Sequence, residues 1–218
     1  MEPVTLTTED GVRLEGELRL PDGPPRGTAV LCHPHPRHSG SKDHPLLWAI
    51  RNELASARHL AVLGFNFRGV MRSSGTYGGG RDELRDARAA VSFVRERTGK
   101  DLPTLLVGWS FGASVALREA LDDRRIGALV LVGMPLEPKD QSLPPLPGPE
   151  DLRILKRPVL LIAGEHDEFC PSGPLHAYAS WFPDATVRIL AGTDHFFWRR
   201  EKEAASAIGD FAARAFEA

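Results

Sequence analysis

The sequence predicts an α/β fold, with a mostly parallel twisted sheet of about eight strands, an N-terminal antiparallel hairpin and helices on both faces. Three observations lead there. Two alternating apolar–polar segments flank an Asp-Gly turn near the start. From residue 28 onward, short continuous apolar runs alternate with amphipathic stretches, as expected of doubly covered strands joined by helical crossovers. The 218 residues, 42% of them hydrophobic, can bury one such core, and no repeat or second block of periodicity divides them.

Residues 5–8 and 12–20 alternate about Glu9-Asp10-Gly11 and read as the hairpin, which Pro21-Asp22-Gly23-Pro24-Pro25 closes. Residues 28–32 are the first fully apolar run and read as a buried strand. Residues 46–58 are amphipathic. They read as a helix starting near Pro45, because proline's missing N–H has no helical partner in a first turn. A strand over 59–67 follows, then a helix over 82–98 that ends at Gly99. Residues 104–108 form a strand feeding directly into a helix over 110–121. Further strands are expected over 128–133, 159–163 and 186–190, with a closing helix over 199–216.

One stretch breaks this rhythm. Pro135, Pro138, Pro144, Pro145, Pro147 and Pro149 remove backbone donors and resist helix interiors. The connecting segment 134–157 therefore reads as extended surface chain. It is either a plain linker or a short lid, since loops past strand C-termini border the ligand crevice of parallel sheets. All of 1–218 otherwise reads as one domain with no large cap.

The formal net charge is −2 with both signs dispersed, and no basic patch suggests nucleic acid. No apolar run reaches the roughly 18 residues of a membrane span. The opening Met1-Glu2-Pro3-Val4-Thr5-Leu6 lacks the basic start and apolar core of a secretory signal. Cys32 and Cys170 lie far apart and read as free thiols. The expectation is a cytoplasmic protein that engages neither nucleic acid nor membrane. Its exposed first strand could pair between subunits as a homodimer.

The chemistry centres on Gly108-Trp109-Ser110-Phe111-Gly112, between an apolar strand and an apolar-periodic helix. A strand that turns sharply into a helix lifts one side chain out of the sheet, and glycines on either side make room for it. Ser110 then sits at a helix N-terminus, where partial positive charge favours a developing anion, and the Phe111 amide points at the forming oxyanion. A serine hydroxyl needs a base and an orienting acid. Where such a turn carries the nucleophile, acid and then histidine follow in chain order. The strand at 159–163 runs into Gly164-Glu165-His166-Asp167-Glu168-Phe169, and the strand at 186–190 into Ala191-Gly192-Thr193-Asp194-His195-Phe196-Phe197. His195 is the candidate base. Asp167 is the candidate acid, with Glu165 and Glu168 as rivals; Asp194 is disfavoured because neighbouring side chains point apart.

His33, His35, His38 and His44 cluster in sequence, but their companions are prolines and a serine-glycine turn, which does not make a metal site. Pro34 and Pro36 lack N–H groups, so His35 is the first residue after His33 able to donate from its backbone. Its amide is the candidate second oxyanion donor; the alternative is a merely rigid turn. Arg68 reads chiefly as a backbone or carboxylate anchor and otherwise as an anion binder. Trp109, Phe111, Phe196, Phe197 and Trp198 could wall a pocket for an apolar acyl group, or be ordinary core.

Taken together, Cys32-His33-Pro34-His35-Pro36, Phe65-Asn66-Phe67-Arg68-Gly69-Val70, Gly108-Trp109-Ser110-Phe111-Gly112-Ala113, the Gly-x-x-Asp loop at 164–167 and Asp194-His195-Phe196-Phe197 resemble a family. It is the family of small bacterial α/β-hydrolases similar to dienelactone hydrolases and carboxylesterases, without a separate cap domain. The resemblance spans nearly the whole chain. It implies the α/β-hydrolase fold, a Ser-Asp-His triad carried by Ser110, Asp167 and His195, no cofactor and a cytoplasmic location. The expected reaction is hydrolysis of small carboxylic esters through an acyl-enzyme; the alternatives are acyl transfer or lactone or C–C hydrolysis on the same triad, or a non-catalytic binding protein that kept the fold. Dienelactone-type enzymes favour a cysteine nucleophile where this chain has serine. Two further positions depart from the family: Met71 stands where similar proteins usually carry glycine, and Ser39-Gly40 replaces the usual glycine pair.

Overall fold

The structure, a computed structural model, describes residues 1–137 and 143–217. Its strands are β1 (Glu2–Thr7), β2 (Arg13–Arg19), β3 (Gly27–Cys32), β4 (Leu60–Phe65), β5 (Thr104–Trp109), β6 (Ile126–Val132), β7 (Val159–Gly164) and β8 (Ala185–Leu190). They form one eight-stranded sheet in the order β1-β2-β4-β3-β5-β6-β7-β8. The β1–β2 hairpin is antiparallel, β2 pairs antiparallel with β4, and every pairing from β4 through β8 is parallel.

Each central strand is buried along its length because both faces are covered. The pleat divides its side chains. Leu106 faces the layer containing α2 (Glu83–Thr98) and α3 (Phe111–Asp122), while Leu105 and Val107 face α1 (Pro45–Asn52) and α6 (Glu201–Glu217). On the α1/α6 side, Leu47, Ile50, Ile208 and Phe211 close the core, and on the other Val91, Val94, Ala113 and Leu117 do so. This is the α/β-hydrolase architecture expected from the sequence.

Several local expectations need correction. The helix expected over 46–58 is α-helical only through Asn52 and continues as a π-helical turn, Glu53–Ala57. The strand expected over 59–67 ends at Phe65, where Asn66 turns its amide to Glu15 in the hairpin. A single helical turn, α4 (Pro149–Leu152), and a helix, α5 (Ser172–Ala179), were not expected. Gly173 and Pro174 disguise the start of α5 as loop, yet Leu175, Tyr178 and Ala179 give it a buried stripe.

The proline-rich connection is also more than extended surface chain. Pro135, Pro147, Leu152 and Leu155 are buried. The Tyr178 hydroxyl donates to the Pro147 carbonyl at 3.0 Å, and the Arg118 guanidinium donates to the carbonyls of Pro144 and Pro145. Residues 138–142 of the expected linker or lid, Pro138 among them, lie outside the described residues.

Candidate active site

Three loops past the C-terminal ends of β5, β7 and β8 bring Ser110, Asp167 and His195 together. Ser110 is the hinge of the β5–α3 turn, with φ 56° and ψ −119°. A non-glycine residue there is strained by contact between its Cβ and its own backbone, and the surroundings must hold it. Its N–H donates to the Val132 carbonyl at 2.8 Å. A Cβ on Gly108 would lie 2.2 Å from the Gly112 carbonyl oxygen, and one on Gly112 would lie 2.3 Å from that of Cys32. The turn closes only because both residues are glycine. Phe111 begins α3, so its amide has no acceptor within the helix.

The Ser110 hydroxyl lies 2.9 Å from His195 Nε2. On the other side of the imidazole, Nδ1 is 3.0 and 2.9 Å from the two carboxylate oxygens of Asp167. All three residues are buried. Asp167 Oδ1 also accepts from the amides of Phe169 and Cys170 at 2.9 and 3.0 Å, which fixes the carboxylate independently of the histidine. The rival carboxylates are exposed and turned elsewhere. Glu165 accepts from the Gly192 amide at 2.8 Å, Asp194 from the Phe196 amide at 2.9 Å, and Glu168 faces solvent.

Backbone contacts hold the acid and histidine loops together. A Cβ on Gly164 would meet the Thr193 and Asp194 carbonyls at 2.4 and 2.5 Å. The buried Trp109 indole donates to the His195 carbonyl at 3.2 Å, tying the β5–α3 turn to the histidine loop. Gly133, at φ +50°, lies against the acid–imidazole pair: a Cβ there would sit 3.0 Å from Asp167 Oδ2 and 3.1 Å from His195 Nδ1. Sequence reasoning missed this contact, although a glycine ending an apolar strand was its signal.

The β3 loop sits opposite. His33 is buried; its Nδ1–H donates to the Pro34 carbonyl at 2.6 Å, and Nε2 accepts from the Phe67 amide at 3.0 Å. Burial disfavours its charged form and lowers its pKa to about 4. The His35 ring packs on Phe111 and Tyr77 with centroids 5.2 and 5.1 Å away, and its Nε2 lies 3.2 Å from the Tyr77 hydroxyl. His35 and Phe111, the two candidate oxyanion residues, therefore share a contact. Gly40 is required here, since a Cβ would fall 2.1 Å from the Pro34 carbonyl oxygen. His44 caps α1, accepting from the Leu46 amide, and packs on Trp109, while burial lowers its pKa. Among the described residues no three His, Cys, Asp or Glu side chains converge as a metal would require.

Arg68 is an anchor. Its guanidinium meets the buried Asp86 and, bidentately, Asp10, and its own amide donates to Asp86. The Asp10 carboxyl is held far below the usual range, chiefly by that guanidinium. Cys32 and Cys170 are free, buried thiols whose pKa burial pushes far up. The apolar wall expected from five aromatics divides in two. Trp109, Phe111 and Phe197 are core, whereas Phe196 and Trp198 are exposed, Phe196 against the His195 ring and Trp198 against Phe196 and His44.

A strained serine between a buried strand and a helix, facing a histidine and a carboxylate on later loops of this sheet, defines an α/β-hydrolase. The chain belongs to the alpha/beta hydrolase domain family, whose model matches residues 29–216. It is similar to an alpha-beta serine hydrolase homologue from Coxiella burnetii, at 25% identity and TM-score 0.83 over 96% of each chain. It is also similar to XC6422 from Xanthomonas campestris, described as an α/β serine hydrolase without lid, at 26% identity and TM-score 0.82 over 98% of this chain and 94% of that one. Uncharacterized protein RP471 of Rickettsia prowazekii is 25% identical over 209 residues, which cover 91% of this chain and 84% of that protein.

Proposed function

We propose that the protein is a serine hydrolase that cleaves carboxylic ester bonds of small substrates through an acyl-enzyme. The observation that carries this reading is the aligned chain from Ser110 Oγ to His195 Nε2 at 2.9 Å, and from His195 Nδ1 to the Asp167 carboxylate at 2.9–3.0 Å. In this reading His195 takes the Ser110 proton as the hydroxyl attacks the ester carbonyl. Asp167 holds the Nδ1–H tautomer and stabilises the imidazolium. The amides of Phe111 and His35 receive the oxyanion, and losing one such donor typically costs about 3 kcal/mol of transition-state stabilisation. Collapse of the tetrahedral adduct breaks the bond to the alcohol oxygen, which takes the proton from His195. Water then repeats the sequence and releases the acid. No cofactor enters the reaction.

The test is Ser110→Ala against p-nitrophenyl acetate, with a fluorophosphonate probe on the parent protein. The parent should label on Ser110, and the variant should fold, fail to label and lose turnover. Unchanged turnover in the folded variant overturns the reading.

A further inference from the structure

Resting on the serine-esterase reading, we propose that this site selects its ester by the alcohol half. It takes esters of aromatic or long apolar alcohols, which pack on a rim formed by Phe169, Phe196 and Trp198.

The proposal starts from which side of the site is apolar and open. Phe169 and Phe196 flank the His195 imidazole with ring centroids 4.7 and 5.5 Å away, and Phe196 stacks with Trp198 at 6.4 Å and 26°. The three are 38%, 45% and 55% exposed, whereas Trp109, Phe111 and Phe197 nearby are at most 1% exposed. Contiguous exposed aromatics next to a nucleophile mark a recognition surface.

The backbone is bent to present them. Phe197 and Arg199 both sit at positive φ, 57° and 64°. For a bulky aromatic residue that conformation is a genuine outlier and is retained only where the surroundings impose it. It turns Phe197 fully inward as an anchor and leaves Phe196 and Trp198, on either side of it, facing out. The Phe196 amide is tied to the Asp194 carboxylate at 2.9 Å, which holds the presented ring in place.

The reaction determines which half of the substrate meets this rim. The departing alcohol oxygen receives its proton from His195 Nε2, so the alcohol group extends past the imidazole and along the rings that flank it. The oxyanion, by contrast, lies toward Phe111 and His35, on the opposite loop. The bond balance is that of ordinary hydrolysis: the acyl–oxygen bond breaks, the alcohol leaves with the proton, and water later supplies the acid's oxygen. An aromatic pair adds enough attraction beyond its buried area to change a rate roughly threefold to tenfold.

The test uses the purified full chain and two matched series, read as kcat/KM in a pH-stat. One series consists of acetates of methanol, 1-butanol, 1-octanol and 3-phenylpropanol, whose oxygens are of similar acidity. The other consists of methyl esters of acetic, butyric, octanoic and 4-phenylbutyric acids. The alcohol series should rise at least tenfold from methyl to 3-phenylpropyl, and the acyl series should be flatter. Phe196→Ala and Trp198→Ala should each reduce the phenylpropyl-to-methyl ratio threefold to tenfold. Trp181→Ala removes an exposed ring packed on Tyr178 and should leave that ratio unchanged. A ratio unmoved by either rim variant overturns the proposal. So does an acyl series that is the steeper one, or a rim substitution that changes only the solution mass, which would make the rim a contact between copies of the chain. Failure of Ser110 to label with fluorophosphonate would instead refute the esterase reading. A labelled enzyme that hydrolyses short esters with a flat alcohol series refutes the rim alone.

Discussion

Replacing Gly133 with alanine should slow the enzyme through its acid–base pair rather than through its fold. The new Cβ would stand 3.0 Å from Asp167 Oδ2 and 3.1 Å from His195 Nδ1, against an ordinary contact of 3.4 Å. The pair must then yield by up to 0.4 Å, the difference between 3.4 and 3.0 Å. A 1 Å misplacement can cost about a hundredfold in rate, so a shift of this size should cost roughly tenfold in kcat. KM should barely move, because the three nearest atoms to the added methyl all belong to the Asp167–His195 pair. Alanine at φ +50° also carries about 1–2 kcal/mol of backbone strain, which lowers stability without touching the chemistry. A control separates the two effects. Gly23, at φ +90°, has nothing within 4 Å of its Cβ position, so Gly23→Ala bears the strain without the crowding. Urea unfolding and steady-state hydrolysis of p-nitrophenyl acetate should show both variants destabilised and only Gly133→Ala slowed. Parent-like kcat in Gly133→Ala would refute the reasoning.

Three further outcomes follow from groups around the site. His33 is held neutral with a pKa near 4 against an ordinary 6.5, so below pH 6.5 the unfolded chain binds a proton that the folded one refuses. Stability should therefore fall by about 3 kcal/mol as pH drops from 6.5 toward 4, and His33→Gln should remove that part of the slope in urea titrations. Met71 is 75% exposed at φ 51°, so Met71→Gly should raise stability by up to about 1 kcal/mol, less the entropy that glycine adds to the unfolded chain. A lower melting temperature in that variant would contradict the strain argument. Arg68→Lys cannot bridge Asp86 and Asp10 with a planar fork, and leaving the buried Asp86 poorly paired should cost about 3 kcal/mol in denaturant unfolding.

The layer arrangement was legible because both signals behind it are periodic: unbroken apolar runs for covered strands and helical stripes between them. Signals that depend on contacts across the fold were not legible. The sequence pointed to Asp167 as the acid but left Glu165 and Glu168 as rivals, and what separates them is the backbone turn that buries Asp167 beneath two amides. The division of the aromatics was equally hidden. Phe196, Phe197 and Trp198 read as one apolar run, but positive φ at Phe197 sends its ring into the core and its neighbours outward. Phe169 gave no periodic cue at all. The two departures from glycine, Ser39 and Met71, become intelligible once the backbone is seen. Both occupy the left-handed region, φ 61° and 51°, where glycine has no steric penalty. In the structure they are points of backbone strain.

The candidate site owes its alignment mainly to close backbone approach, and this makes it fragile in a particular way. Gly112 lets the Ser110 turn press on β3, Gly108 lets that turn close on itself, Gly164 lets the Asp167 loop press on the His195 loop, and Gly133 lets the Asp167–His195 pair settle over the end of β6. Side-chain hydrogen bonds such as the Trp109 indole to His195 fix orientation only after these approaches are made. A lost side-chain bond leaves neighbours that can partly relax, whereas an added methyl at a 2.2–2.5 Å backbone contact forces two strands or loops apart. Loss of a polar partner should therefore lower turnover in a folded protein. A methyl at Gly108, Gly112 or Gly164 should instead part Ser110, Asp167 and His195 and open the C-terminal ends of the central strands together. Gly133 is the exception, because its Cβ would meet the movable ends of side chains rather than backbone. It is the one glycine of the four where catalysis and folding can be perturbed separately.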